Sequence, residues 1–290
     1  MGKTALVLVM FATVAAAQSR FVWKDHGDGR LELLEQGKPA LTYNYGPRLA
    51  EGAPEDRRRC CYIFPVFTPR GVEVLDDFPK DHWHHRGLFW AWPVVRTAEG
   101  TFDLWALKGV EDWFERFRGV RAEAAKARVA VENAWYAGGR KIVTERATIT
   151  VFPAAAGARE LEVELTLEAQ GAPVTLAGSQ EQGKSYGGFS ARFAPRTGTL
   201  LRADGVTLTA DEDLNPHNWA ELEAKFEGGR AVLGITPDAH NPGMPWQWCL
   251  RNYGFVGASF PGKSAKVREH TLESGIPETL RFRVRVADVD

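Results

Sequence analysis

Three of the seven histidines of this 290-residue chain fall within four positions, in Asp81-His82-Trp83-His84-His85-Arg86-Gly87. Neutral imidazole is the commonest protein ligand for a metal and the acid–base group best matched to neutral pH. A buried imidazole needs a hydrogen-bond partner, so a core strand has little use for three of them. The segment therefore reads as the lining of a site. On an extended backbone, residues two apart share a face. That places His82 and His84 on one side, and Trp83 and His85 on the other. As acid–base chemistry, one imidazole would shuttle protons while Arg86 orients a polar or anionic group and Asp81 contacts substrate or braces a ring. As a metal site, His82 and His84 form an H-x-H pair that needs a third ligand, for which His240 is the candidate. Zinc, manganese or calcium would be the ion.

Two other stretches carry the residue types to complete a site. Gln180-Glu181-Gln182-Gly183-Lys184-Ser185-Tyr186-Gly187-Gly188 offers an acceptor in Glu181, a cation in Lys184 and an amphipathic ring in Tyr186. Its glycines let backbone approach a ligand closely. Asp238 to Arg251 holds His240, two prolines, Trp246, Trp248 and Arg251, and reads as a rigid loop folded over something. Ten tryptophans is a high number, and Trp83, Trp219, Trp246 and Trp248 sit beside or near glycine, proline or histidine. Flat rings in loops suit ligands with apolar C–H faces, sugars above all. Trp83, Trp246 and Trp248 are the stacking candidates. His217 reads as a solvated loop residue, and His26 and His270 as turn residues.

The elements that position these residues read as β almost throughout. Short strands are expected at 21–24, 31–34, 40–45, 62–67 and 88–95. A long hairpin spans 129–136 and 142–152 around Gly138-Gly139, and Leu161 to Glu168 alternates apolar and charged residues strictly. Period two over eight residues is a half-buried antiparallel strand. Further strands are expected at 189–193, 220–226, 231–235, 255–260 and 280–286. Alanine-rich 121–130 is the one helix candidate. About fifteen strands exceed one immunoglobulin-like unit. They fit an all-β fold, a large antiparallel two-sheet β-supersandwich, forming a single domain over residues 18–290.

Composition removes several classes. Net charge is −1 and pI about 6.7, with no basic surplus for nucleic acid. Arg57-Arg58-Arg59 reads as a solvated turn. Residues 1–17 read as a cleaved signal peptide, with Lys3, an apolar run from Leu6 to Val14 and Ala15-Ala16-Ala17. The expectation is a periplasmic or secreted protein without membrane insertion. Cys60, Cys61 and Cys249 are too few for a disulfide framework. They leave room for one bridge, Cys249 to Cys60 or Cys61, with a strained vicinal Cys60–Cys61 bridge as the alternative. Nucleotide-binding, lipase and zincin motifs are absent.

Asp76 to Trp92, centred on Asp81-His82-Trp83-His84-His85-Arg86-Gly87-Leu88, resembles a bacterial family of unknown function catalogued as "methane oxygenase PmoA". Lys184-Ser185-Tyr186-Gly187-Gly188 and Trp248 to Gly254, ending Arg251-Asn252-Tyr253-Gly254, resemble the same family. Family members often carry histidine where this chain has Cys249. A membrane monooxygenase subunit would need spanning helices, which the sequence lacks, so methane oxidation is not expected. The resemblance implies a galactose-mutarotase-like supersandwich, a fold of sugar epimerases, lyases and glycosidase accessory domains.

The leading expectation is an exported carbohydrate-active enzyme that hydrolyses, eliminates or epimerises a glycoside or modified sugar. His82, His84, His85, Arg86, Glu181, Lys184 and His240 would supply the chemistry. Asp81, Trp83, Tyr186, Trp246, Trp248 and Arg251 would hold the sugar. The alternatives are a non-catalytic carbohydrate-binding module and a metal-dependent sugar enzyme using the same histidines.

Overall fold

The computed structural model describes residues 19–262 and 268–290. The expected signal peptide at 1–17 lies outside the described residues. Strands are numbered along the chain. The first sheet runs β1 (Phe21–Asp25), β2 (Arg30–Glu35), β3 (Lys38–Asn44), β4 (Tyr62–Val66), β5 (Leu88–Ala91), β13 (Gly188–Arg192), β20 (Phe255–Ser259), β19 (Trp246–Arg251), β16 (Glu212–His217). The second runs β15 (Val206–Thr207), β14 (Arg196–Ala203), β17 (Ala220–Phe226), β18 (Gly229–Pro237), β22 (Glu278–Asp288), β11 (Ala158–Ala169), β10 (Arg140–Val151), β9 (Ala127–Ala137), β8 (Val110–Ala122). A four-stranded sheet, β21 (Glu269–Leu272), β12 (Val174–Ala177), β6 (Val94–Thr97) and β7 (Gly100–Phe102), completes the architecture. The named strands all pair antiparallel.

This is the expected all-β, antiparallel two-sheet fold. Alternation explains how the sheets face each other. On β11, Leu161, Val163, Leu165 and Leu167 are buried. Glu162 and Glu164 point outward and lie opposite Arg283 and Arg281 of β22. Phe189 of β13 stacks on Phe282 of β22 at 4.3 Å, and Trp246 of β19 lies 5.8 Å from the same ring. The core therefore sits between the two large sheets. Ser190 and Arg192 of β13, and Cys249 and Arg251 of β19, alternate with core residues and occupy the opposite face of the first sheet.

Four expectations are corrected. Residues 121–130 form no helix: β8 runs to Ala122 and β9 starts at Ala127, because Val129 and Val131 are needed in the core and packing overrides alanine's helix preference. The apolar run 88–95 is split at Pro93, where the chain leaves β5 for β6 in another sheet. The tail of the supposed loop 238–251 is β19, an inner strand. Arg59 is 2 % exposed rather than solvated. It donates to the carbonyls of Leu104 and Trp90 and faces Asp112 at 3.6 Å.

All three cysteines are free and buried, with Cys60 Sγ and Cys61 Sγ 3.2 Å apart. A thiol-titrating reagent should count three thiols in denaturant and none in the native protein within minutes. A count of one in denaturant would mean a bridge and contradict this arrangement.

Candidate functional site

The histidine segment folds as successive turns, not as a strand. His82 N donates to the Pro79 carbonyl at 2.9 Å, and His85 N donates to the His82 carbonyl at 2.8 Å. The expected alternation of faces is therefore wrong: the turns send all three rings to one side. His82 stacks on His85 at 4.6 Å and 7°, and His84 meets His85 edge-on at 4.6 Å. The stack continues outward, with Tyr253 on His82 at 5.2 Å and Phe255 on His85 at 4.9 Å. Both faces of His82 and of His85 are thus covered, so these imidazoles present only ring edges. Gly87 ends the segment where a Cβ would run into the Ile63 carbonyl and the Phe64 side chain.

Arg86 points the other way, which corrects its expected contact with substrate. It is fully buried and lies 3.4 Å from the centre of the Phe78 ring. It donates to the carbonyls of Trp83 and His85, both at 2.7 Å, and to that of Arg57. It faces Asp77 at 3.6 Å, beyond hydrogen-bond range. Burial, offset in part by Asp77, lowers its pKa to about 10, so the guanidinium stays charged. Arg86 staples the turns from behind.

The three imidazoles open into a cavity of about 430 Å³. Trp105, Tyr186, Tyr253 and Phe255 form its aromatic walls, and Glu181, Lys184, Asp211, Cys249 and Arg251 its polar ones. Tyr186 donates to Glu181 Oε1 at 2.6 Å, and Lys184 Nζ lies 2.5 Å from Oε2. Burial and that carboxylate push the Tyr186 phenol up to about 12, so it remains a donor at neutral pH. Arg251 pairs with Asp213 and sits 3.9 Å from Asp211. Burial and Asp213 raise the Cys249 thiol, which stays protonated. Burial, then His82 and nearby arginines, lowers His84 to about 3. Burial and the other two imidazoles lower His85 as well. Both rings are neutral at physiological pH.

Sequence and structure agree on bringing His82, His84, His85, Glu181, Lys184, Tyr186 and Arg251 to one cavity. They part at the rest of the expected set. Trp83 is half-buried and does not line the cavity. Trp246 and Trp248 are core residues whose indole N–H groups are spent on the Pro242 and His217 carbonyls. They are not available to stack on a sugar. The His240 side chain is 94 % exposed and bound to Asp238 at 2.9 Å, so it completes no ligand set with His82 and His84. Among the described residues, no three His, Cys, Asp or Glu side chains are grouped to hold a metal ion. Asp81 is tied to Arg192 rather than directed at the cavity.

Trp105, Arg192, Asp211, Tyr253 and Phe255 were not foreseen as site residues. Of these, only Tyr253 carried a signal, inside Arg251-Asn252-Tyr253-Gly254. A larger cavity, about 550 Å³, lies against the second sheet near Arg128, Glu164, Asp238 and Arg281. Its Arg281 pairs with Glu164 and it holds no imidazole, so the smaller cavity is the candidate site.

Fold and site define an all-β protein with an imidazole-edged, aromatic-walled pocket on the outer face of a large antiparallel sheet. The chain belongs to a family of unknown function (DUF6807), whose model matches residues 30–290. That description names no activity and gives no support to the resemblance to the family catalogued as "methane oxygenase PmoA". No curated protein matches the chain. Among solved structures it is similar to a heparan sulfate lyase HepC mutant from Pedobacter heparinus, at 7 % identity and TM-score 0.45, over 97 % of this chain and 37 % of that one. It is similar to a GalM/aldose epimerase homologue from C. elegans, at 10 % identity and TM-score 0.40, over 94 % and 100 %. A GH36 α-galactosidase from Geobacillus stearothermophilus matches at 11 % and 0.40, over 92 % and 39 %. The chain spans only 32–37 % of the length of the lyases and heparinase first matched. These neighbours are carbohydrate-active by name, but at such values they carry no argument about this chain's chemistry. Among the described residues no helix is long and apolar enough to cross a membrane.

Proposed function

We propose that the cavity binds a sugar and that His82 performs acid–base chemistry on it. The observation that carries this reading is the division of labour in the wall. Imidazoles offer nitrogen edges, Tyr186 and Tyr253 offer ring surface, and Glu181, Lys184 and Arg251 offer polar atoms in about 430 Å³. A sugar ring has the matching surfaces, apolar C–H faces and a rim of hydroxyls. The cavity volume lies in the usual range for small-molecule sites. Proton transfer beside a carbonyl or at an anomeric oxygen would serve epimerisation, elimination or hydrolysis. With its leader-like residues 1–17, we place this activity outside the cytoplasm.

A second reading is favoured by the neutral state of His84 and His85: a module that binds sugar without converting it. Calorimetry against a panel of mono- and disaccharides, with NMR of each mixture for changed anomer or product, separates the two. Tyr186→Ala should weaken binding of a positive sugar about tenfold, the upper end of what an aromatic face contributes beyond its buried area. A panel with no binder, or a Tyr186→Ala protein that binds unchanged, would sink the sugar reading.

A further inference from the structure

His82 is the member of the cluster with a carboxylate at its ring. Asp81 Oδ2 lies 3.0 Å from Nδ1, and that nitrogen is shielded from solvent. The contact is within hydrogen-bond distance but out of line for a formed hydrogen bond. Asp81 does not take this position unaided. Both its oxygens accept from Nη2 of Arg192, at 2.8 and 2.9 Å.

Arg192 is 6 % exposed at the end of β13. Its backbone N–H donates to the Gly87 carbonyl at 2.9 Å, tying the strand to the end of the histidine segment. Its guanidinium lies 4.8 Å from the centre of the Tyr253 ring, the same ring that covers His82. One buried side chain therefore reaches His82 twice: through Asp81 at its edge and through Tyr253 at its face.

We infer that Arg192 is a positioning residue which, through Asp81, fixes His82 as the Nδ1–H tautomer and leaves Nε2 as the bare acceptor toward a bound hydroxyl. The logic is that of an orienting carboxylate: the hydrogen bond at one ring nitrogen decides what the other can do. A lone buried guanidinium would be costly, and the Asp81 contact, both oxygens on Nη2, meets part of that cost while serving the imidazole. The inference rests on the reading of the cavity as a sugar site only for what Nε2 accepts. The tautomer itself needs no ligand.

The test is a long-range proton–nitrogen correlation spectrum of the histidine rings at neutral pH, on the whole protein labelled with nitrogen-15. His82→Gln assigns the His82 signals by their loss. Wild-type protein should show His82 with Nδ1 protonated and Nε2 bare. Arg192→Gln and Asp81→Ala should each move His82 toward the Nε2–H form, and Arg192→Lys should restore part of the wild-type pattern. Asp81 is half-exposed, so if Arg192→Gln does not fold, Asp81→Ala decides alone. A wild-type Nε2–H tautomer, or an Asp81→Ala protein with His82 unchanged, overturns the inference. Either result leaves the sugar panel to stand or fail on its own.

Discussion

His82→Ala is expected to lower turnover of any sugar the protein converts by about a thousandfold, while changing its affinity by tenfold or less. A positioned proton-transfer group is typically worth 10²–10⁴ in rate, and His82 is the imidazole of the cluster with a carboxylate at Nδ1. His84→Gln should cost only about tenfold. A ring whose pKa is lowered to about 3 has little drive to take a proton at pH 7, and glutamine still offers a polar edge. His85→Gln should act on stability instead, since the ring is 3 % exposed and sandwiched between His82 and Phe255. Steady-state kinetics on the three variants decides the matter. Equal losses for His82→Ala and His84→Gln would remove the special role of His82. Full turnover in His82→Ala would remove acid–base chemistry by the cluster. If sugar binds and no product appears with wild-type protein, the pocket is a binding site and the comparison is made on affinity.

The difference between these histidines was not legible in the sequence, though their cluster was. Spacing alone put His82 with His84 on one face and His85 on the other, because an extended backbone was assumed. The hydrogen bonds from His82 N to Pro79 and from His85 N to His82 curl the chain and reverse that grouping. Arg86 misled in the same way. An arginine beside three histidines looks like an anion clamp until Phe78 and the Arg57 carbonyl are brought beneath it by the fold. Trp246 and Trp248 looked like loop rings because proline and glycine precede them. They are core because β19 pairs between β16 and β20, which no local pattern announces.

What was legible had a local cause. The hairpin of β9 and β10 and the strict alternation of β11 follow from period-two patterning and a Gly-Gly turn. The loop carrying Glu181, Lys184 and Tyr186 was picked out by its glycines and mixed chemistry, and its three side chains do line the cavity and meet one another. Arg192 was invisible for the opposite reason. It sits in a strand that reads as core, and its partner Asp81 is 111 positions away in the chain.

The largest stability effect expected lies away from the pocket, at Glu145. This carboxyl on β10 is 1 % exposed, and it accepts from Asn133 at 2.8 Å and from Trp135 at 2.9 Å. Burial outweighs those bonds and raises its pKa from 4.5 to about 7. The folded protein therefore keeps this proton up to about pH 7, whereas the unfolded chain loses it near 4.5. Between those values the native state binds more protons, so stability falls as pH rises. The contribution is complete below pH 4.5 and lost above 7. A gap of about 2.5 pH units, at about 1.4 kcal/mol each, amounts to roughly 3 kcal/mol. Asp77, pushed to about 6 by burial, has the same sign. His84 and His85 have the opposite one: their lowered pKa values give stability that is present above pH 6.5 and lost on acidification. Wild-type stability should accordingly decline on both sides. In Glu145→Gln the acid limb should remain, while the fall between pH 5 and pH 8 should shrink by roughly 3 kcal/mol. Absolute stability can drop as well, because an amide N–H would face the Asn133 or Trp135 donor. The pH dependence is therefore the decisive quantity. Urea unfolding of both proteins at pH 5, 6, 7 and 8 measures it. Parallel curves would mean that Glu145 is already ionised in the folded protein.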